Sequence, residues 1–142
     1  MIMPRLDLYH HTVKRALEKD QWTITNDPFS LVIGLKRLYV DLGAQRLISA
    51  YKTQEQIVVE VKSFLGPSYV KDLEQALGQF VLYEKIIRQQ TPDKRLYLAL
   101  TNTKFNEIFS DELGQLLLTE PLPLRLMVFD EVQEVIIQWI PA

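Results

Sequence analysis

IVVEVKSF, residues 57–64, reads as a strand with one aliphatic face and one face that carries charge. Successive side chains of a strand point to opposite sides, so Ile57, Val59 and Val61 share one face and Val58, Glu60 and Lys62 the other. A half-exposed strand with an ordinary ion pair accounts for the pattern, and such a pair contributes little. A second reading gives the two charges a chemical task, and it requires a further carboxylate on a neighbouring strand.

The surrounding chain narrows the choice. Its 142 residues match one domain with one substantial core. A 47% hydrophobic and 24% charged composition is that of an ordinary globular protein. The N-terminal MIMPRLDLYHH lacks the apolar core of a secretory signal and no stretch has the length of a membrane span, so a cytoplasmic protein is expected. With no cysteine and two histidines, disulfides, thiolate chemistry and cysteine-held zinc are excluded, and any metal must be held mainly by oxygen. A formal net charge of −2 and a pI near 5.7 lack the basic footprint of an autonomous, tight DNA binder.

Apolar spacing from Leu8 to Trp22 predicts a first helix, and Trp22 to Ile24 a short strand ended at Asp27-Pro28. The aliphatic run Leu31 to Leu42 favours a strand about Leu38-Tyr39-Val40. Leu47 to Lys52 and Ile57 to Phe64 flank Thr53-Gln54-Glu55 as a hairpin. A long helix is expected over Ser68 to Gln90, with Ser68 as its N-cap and Val70, Leu73, Ala76, Leu77, Phe80, Val81, Ile86 and Ile87 on its apolar period. Leu96 to Leu100 is uniformly apolar, as in a strand buried on both faces. Thr103 to Leu118 reads as helical with a break near Ser110, followed by strands Leu124 to Phe129 and Val135 to Ile140. The expected architecture is α/β, a mixed sheet flanked by helices, in a single domain over residues 1–142.

Asp41, at the end of LYVD, supplies the further carboxylate. A hard cation such as Mg²⁺ or Mn²⁺ takes oxygen ligands, and a lysine on the same face can stabilise charge developing on a phosphate. On the long helix Gln79 and Tyr83 are four apart, one above the other. If the hairpin turns near Thr53-Gln54, Glu60 falls opposite about Leu47 and Asp41 lies ~20 Å away at ~3.3 Å per residue. A bend or bulge, for which Gly43 is suited, is then required to assemble the site. Gln79 and Tyr83 also fit a polar stripe on an amphipathic helix with Tyr83 half-buried, and His10 and His11 fit solvated or capping residues at a helix start. Lys14, Arg15, Lys19, Lys36, Arg37, Arg46 and Lys52 read either as the border of a DNA groove or as a solvated face. Trp22 and Trp139 read as core or interface anchors.

The Asp41, Glu60-x-Lys62 and Gln79-x-x-x-Tyr83 pattern resembles the PD-(D/E)xK nucleases of restriction-endonuclease-like fold, with the Q-x-x-x-Y arrangement of RecB-like members. Over nearly the whole chain, DLYHHTVKRAL, WTITNDP, DLGAQRLISAYK, VEVKSF, ALGQFVLYE and the terminal QWIP are similar to the XisH family of fdxN element excision controlling factors. The resemblance implies a cyanobacterial accessory protein for excision of a DNA element by a site-specific recombinase. Its implied partners are an XisI-like protein, DNA and the recombinase, and the modest net charge leaves room for an apolar patch on the long helix or a sheet edge that closes on XisI or on a second copy of the chain. It further implies Asp41 and Glu60 as ligands of Mg²⁺ (or Mn²⁺), Lys62 as catalytic lysine, and Gln79, Tyr83 and His10 as substrate-side residues. Gln45 and Tyr51 stand where the family usually has acidic residues, and Asn26 where it has a histidine. Whether the site is a working nuclease centre or the fold is a non-catalytic scaffold for XisI or the recombinase stays open at the level of sequence.

Overall fold

A computed structural model of the chain describes residues 6–48, 53–119 and 124–142. The elements in chain order are α1 (His10–Lys19), β1 (Thr23–Asn26), β2 (Phe29–Ile33), β3 (Lys36–Val40), β4 (Leu42–Leu47), β5 (Gln54–Val61), α2 (Tyr69–Gln90), β6 (Lys94–Thr101), α3 (Asn102–Phe109), α4 (Glu112–Leu117), β7 (Leu126–Asp130) and β8 (Val135–Ile140). Six strands form one mixed sheet in the order β1-β4-β5-β6-β7-β8, and β2 pairs with β3 in a separate two-stranded ribbon. The β5–β6 and β6–β7 pairs are parallel, and the three remaining pairs of the large sheet are antiparallel. The expected α/β architecture with a mixed sheet flanked by helices is what the chain forms.

Alternation along the central strands builds two cores. Ile57, Val59, Val61, Tyr97, Ala99, Met127 and Phe129 face α1, which contributes Val13 and Leu17. Val58, Leu96, Leu98, Leu100, Leu126 and Val128 face α2 and α3, which contribute Leu73, Ala76, Phe80, Ile87, Ile108 and Phe109. Strand β6 is buried on both sides over Leu96 to Leu100, as its uniform apolarity predicts. Glu60 therefore projects on the α2 side, from the last turn of a strand whose other face is sealed.

Local chemistry explains where the elements begin and end. Ser68 caps α2 by accepting a hydrogen bond from the Lys71 backbone at 3.4 Å. The apolar face of α2 consists of Leu73, Ala76, Phe80, Tyr83, Ile86 and Ile87, whereas Val70 and Val81, expected on that face, lie exposed. The break near Ser110 is present, and Asp111 rather than Ser110 caps α4, accepting from Gly114 N at 3.0 Å.

Two expectations are corrected and one is extended. Helix α1 stops at Lys19, well before Trp22, because Gln21 turns the chain at φ 71°. The strand expected about Leu38-Tyr39-Val40 is β3, and a further strand, β2, precedes it: Gly34, at φ 59°, opens a two-residue turn between the two, the place that a type II′ hairpin reserves for glycine. The next hairpin turns earlier than expected. Leu42 pairs with Val59 and Leu47 with Gln54, so the strand is Leu42–Leu47 rather than Leu47 to Lys52, and Gln54 already lies on the return strand. Its connection over 49–52, with Tyr51 and Lys52, lies outside the described residues.

Candidate functional site

The corrected register assembles the site without a bend in β4. Because Leu42 lies opposite Val59, the next residue on each side brings Asp41 beside Glu60. Side chains continue the lacing where the ladder ends: Val61 N donates to Asp41 Oδ2 at 2.7 Å, and Asp41 N lies 3.4 Å from Glu60 Oε1. Gly43 serves another purpose. A Cβ there would stand 2.8 Å from Asn26 Oδ1 and 3.2 Å from a Phe29 ring carbon, so glycine admits the close approach of β1, whose register shifts between Ile24 and Asn26.

Asp41, Glu60, Val61 and Lys62 line a cleft of about 330 Å³ together with Gln79 and Tyr83 of α2, Tyr39 of β3, Leu6 and Asp7. Two larger hollows, of about 820 and 500 Å³, lie around Arg46. Each holds a single glutamate or aspartate, so size does not mark the chemistry of this surface.

Burial, and then the hydrogen bond and charge of Asp41, push the Glu60 carboxyl up to about 9, with Lys62 opposing. Two carboxyl groups in contact cannot both ionise freely, so the pair holds a proton that an incoming cation would displace. Tyr83 is buried against the same pair. Its hydroxyl is raised to about 12 by burial, by the charges of Glu60 and Asp41, and by a hydrogen bond with Glu60. The half-buried tyrosine of the sequence reading is thus a nearly enclosed partner of Glu60. Lys62 lies just past β5, where its backbone N donates to Ala99 O at 3.0 Å. Its Nζ reaches Gln75 Oε1 at 3.5 Å, and no Glu60–Lys62 ion pair closes within 4.0 Å among the described residues. The ordinary ion pair therefore does not explain the charged face.

His10 is neither solvated nor a cap. It is 1% exposed, and its Nε2 lies 2.6 Å from Asp27 Oδ1. With the Nε2 proton donated to Asp27, Nδ1 stays without a hydrogen-bond partner, 3.9 Å from Asp41 Oδ1. Lys14 Nζ holds the other Asp27 oxygen at 2.7 Å. Burial alone would raise Asp27, but the hydrogen bonds from Lys14 and His10 outweigh it and lower its pKa. All six sequence-expected residues, Asp41, Glu60, Lys62, Gln79, Tyr83 and His10, thus gather at one end of β5.

A model of the XisH protein family matches residues 3–137. The chain belongs to the XisH family. Two crystal structures of family members are similar over almost all of it: a XisH family protein from Nostoc punctiforme PCC 73102, 38% identical, covering 94% of this chain and 98% of that one with a TM-score of 0.83; and a fdxN element excision controlling factor protein from Anabaena variabilis, 38% identical, covering 95% and 99% with a TM-score of 0.84. No curated protein matches the chain.

Within this XisH-family fold, residue-by-residue reading overlooked three members of the site. Asp27 was legible only as the start of an Asp-Pro turn. Asp7 accepts from Ser63 N at 3.0 Å and from Tyr9 N at 2.9 Å, tying the start of α1 to the strand end beyond Lys62. Tyr39 stands two residues before Asp41 on β3, a spacing that alternation could have flagged. Among the described residues no group of three or more Asp, Glu or His converges, so a hard cation here would have two carboxylates as its protein ligands and water for the rest of its shell.

Proposed function

We propose that this XisH-family chain acts in excision control of an fdxN-type DNA element in the cyanobacterial cytoplasm, and that its Asp41–Glu60 centre is a Mg²⁺- or Mn²⁺-dependent phosphodiesterase site of the restriction-endonuclease-like, PD-(D/E)xK type. The carrying observation is the convergence of Asp41 and Glu60 where the β4–β5 ladder ends, with Val61 N donating to Asp41 Oδ2 at 2.7 Å and Asp41 N 3.4 Å from Glu60 Oε1; burial first, and then Asp41, raise the Glu60 carboxyl there. A bound divalent ion supplies charge that polarises a phosphate oxygen and makes water a better nucleophile. Asp41 and Glu60 would hold that ion. Lys62, which lines the same cleft, would leave Gln75 to bring its ammonium to a phosphate that gains charge during attack. Tyr83 fixes Glu60 and excludes water behind it, and Gln79, one turn earlier on α2, offers an amide to the sugar-phosphate chain.

The test is nicking of supercoiled plasmid, single-stranded and branched DNA with Mn²⁺ or Mg²⁺, comparing wild type with Lys62→Ala. Cleavage by wild type that Lys62→Ala abolishes supports the reading. A second reading, a scaffold for an XisI-like protein or the recombinase, is favoured by one feature: Lys62 Nζ is directed to Gln75 rather than into the carboxylate pair. Under that reading no DNA form is cut by wild type, yet Lys62→Ala still loses excision in cells.

A further inference from the structure

Lys62 starts from a main chain that is pinned on both sides of its Cα. Its own N donates to Ala99 O of β6 at 3.0 Å, carrying the parallel β5–β6 pairing one bond past the end of β5. The next N–H, that of Ser63, has left the sheet. A part-buried backbone donor at such a place needs a new acceptor, and Asp7 Oδ2 supplies it at 3.0 Å, from 56 residues away in the chain. Beyond Ser63 the chain turns sharply. Phe64, 2% exposed, sits at φ 55°, a left-handed conformation that a bulky residue adopts only where its surroundings hold it there. The next hold is at the foot of α2, where Gly66 N donates to Asp72 Oδ2 at 2.8 Å.

The other oxygen of Asp7 serves α1. Oδ1 accepts from Tyr9 N at 2.9 Å, and the Asp7 carbonyl accepts from His10 N at 3.1 Å, at a helix start whose N-cap residue, Tyr9, makes no side-chain cap bond. One carboxylate thus satisfies two backbone donors, one from the helix that presents His10 and one from the strand end that presents Lys62. Two acceptor oxygens are required for that, where an amide offers one and a hydroxyl is too short to span both. The Lys62 side chain, by contrast, is held by a single contact of 3.5 Å to Gln75 Oε1. A fixed Cα and a lightly held ammonium suit a lysine that moves between that contact and a phosphate.

We propose that Asp7 is a positioning residue for Lys62: by holding Ser63 N it fixes the pivot about which the Lys62 ammonium swings from Gln75 to the phosphate. Asp7 touches no reacting atom and acts through the main chain. The inference rests on the phosphodiesterase reading of the Asp41–Glu60 centre, in which Lys62 meets the developing charge.

The experiment uses Asp7→Ser, which separates the two bonds. A serine hydroxyl at this position still accepts from Tyr9 N, as in an ST turn, but is too short to reach Ser63. In the metal-free protein, amide hydrogen exchange should find Ser63 N–H opened and Tyr9 N–H still protected. Plasmid nicking with Mn²⁺ should lose about ten- to hundredfold in kcat, the scale of a displacement of about 1 Å, with KM for DNA changed less than about threefold. Mn²⁺ affinity by calorimetry should stay within twofold of wild type. Asp7→Ala, which loses both bonds, should match Asp7→Ser in kcat and also melt lower. A kcat of Asp7→Ser within threefold of wild type, or a Ser63 N–H that stays protected, overturns the clamp and leaves the phosphodiesterase reading standing. Loss of Mn²⁺ affinity along with kcat also overturns it, because Asp7 would then act on the cation centre rather than on Lys62. If wild type nicks no DNA form, both readings fall together.

Discussion

Replacing Glu60 by glutamine should raise heat stability relative to wild type at pH 8 and leave it nearly unchanged at pH 5. In the folded chain burial and Asp41 lift the Glu60 carboxyl to about 9, whereas in the unfolded chain it titrates near ~4.3. Between those values the folded state keeps a proton that the unfolded state has released. Stability then falls as pH rises, by at most about 1.4 kcal/mol per pH unit, and the loss is complete once pH passes the folded value. From pH 5 to pH 8 the ceiling is about 4 kcal/mol. Sharing of the proton with Asp41 and water at the mouth of the cleft reduce it, so about 2 kcal/mol is the working figure. At roughly 3 to 4 °C per kcal/mol for a chain of this size, the variant should melt about 6 to 8 °C above wild type at pH 8 and within about 2 °C at pH 5. Glutamine imitates the protonated carboxyl in shape and does not titrate. Thermal melts by circular dichroism at four pH values, without divalent metal, read the difference, and titrating groups away from the cleft cancel between the two proteins, whereas Asp41 and Tyr83, which touch Glu60, belong to the difference. A melting difference that is the same at pH 5 and pH 8 would refute the shared-proton account of the pair. Millimolar Mn²⁺ at pH 8 should erase or invert the variant's advantage, because only wild type retains both carboxylates to stabilise the folded state by binding.

Other outcomes follow from the same geometry. Asp41→Asn should abolish the rise in Tm that Mg²⁺ or Mn²⁺ gives wild type, and calorimetry that finds no divalent binding to wild type at millimolar metal would remove the metal centre. Lys62→Ala should cost less than about 1 kcal/mol, as for a partly exposed strand-end lysine, while eliminating any metal-dependent nicking; activity surviving unchanged would end its catalytic assignment. Gly43→Val should lower stability by about 1 to 3 kcal/mol, because the new side chain collides with Asn26 and Phe29, and a denaturant midpoint equal to wild type would contradict that close approach. Val81 and Leu82 stand exposed on α2, so Val81→Glu/Leu82→Glu should abolish co-elution with an XisI-like protein or self-association by light scattering, and unaltered complexes would move the partner surface elsewhere.

The sequence carried the parts of this molecule whose signal is local. Alternation over Ile57 to Val61, the apolar period of α2 and the uniform Leu96 to Leu100 each report burial directly, and the structure places those side chains in the cores that the patterns imply. What it carried poorly was register. A shift of the turn from about Thr53 to the 49–52 connection moves the partner of Glu60 along β4 by six residues, and no residue in that stretch has the Asn-Gly or Gly-X signature that would have fixed it. Gly34 did have such a signature, but a lone glycine within an aliphatic run reads as strand. His10 was misjudged for a related reason. A histidine at a helix start is usually solvated, and only the long-range return of Asp27 to within 2.6 Å makes its burial tolerable.

Asp41 has a double role that limits how its variants can be interpreted. One of its oxygens accepts from Val61 N at the place where the β4–β5 ladder ends, so the residue that would hold a cation also closes the strand pair. Asp41→Asn keeps an oxygen for that bond, whereas Asp41→Ala leaves a buried donor without its acceptor, at about 1 to 3 kcal/mol. The two substitutions therefore separate the roles. Both should lose the response of Tm to Mn²⁺, but only alanine should also lower Tm in its absence, by several degrees. If asparagine and alanine lower it equally without metal, the Val61 bond contributes nothing and the carboxylate serves the cleft alone. If neither does, the convergence of Asp41 and Glu60 depends on strand pairing rather than on this bond, and the site is held by the sheet itself.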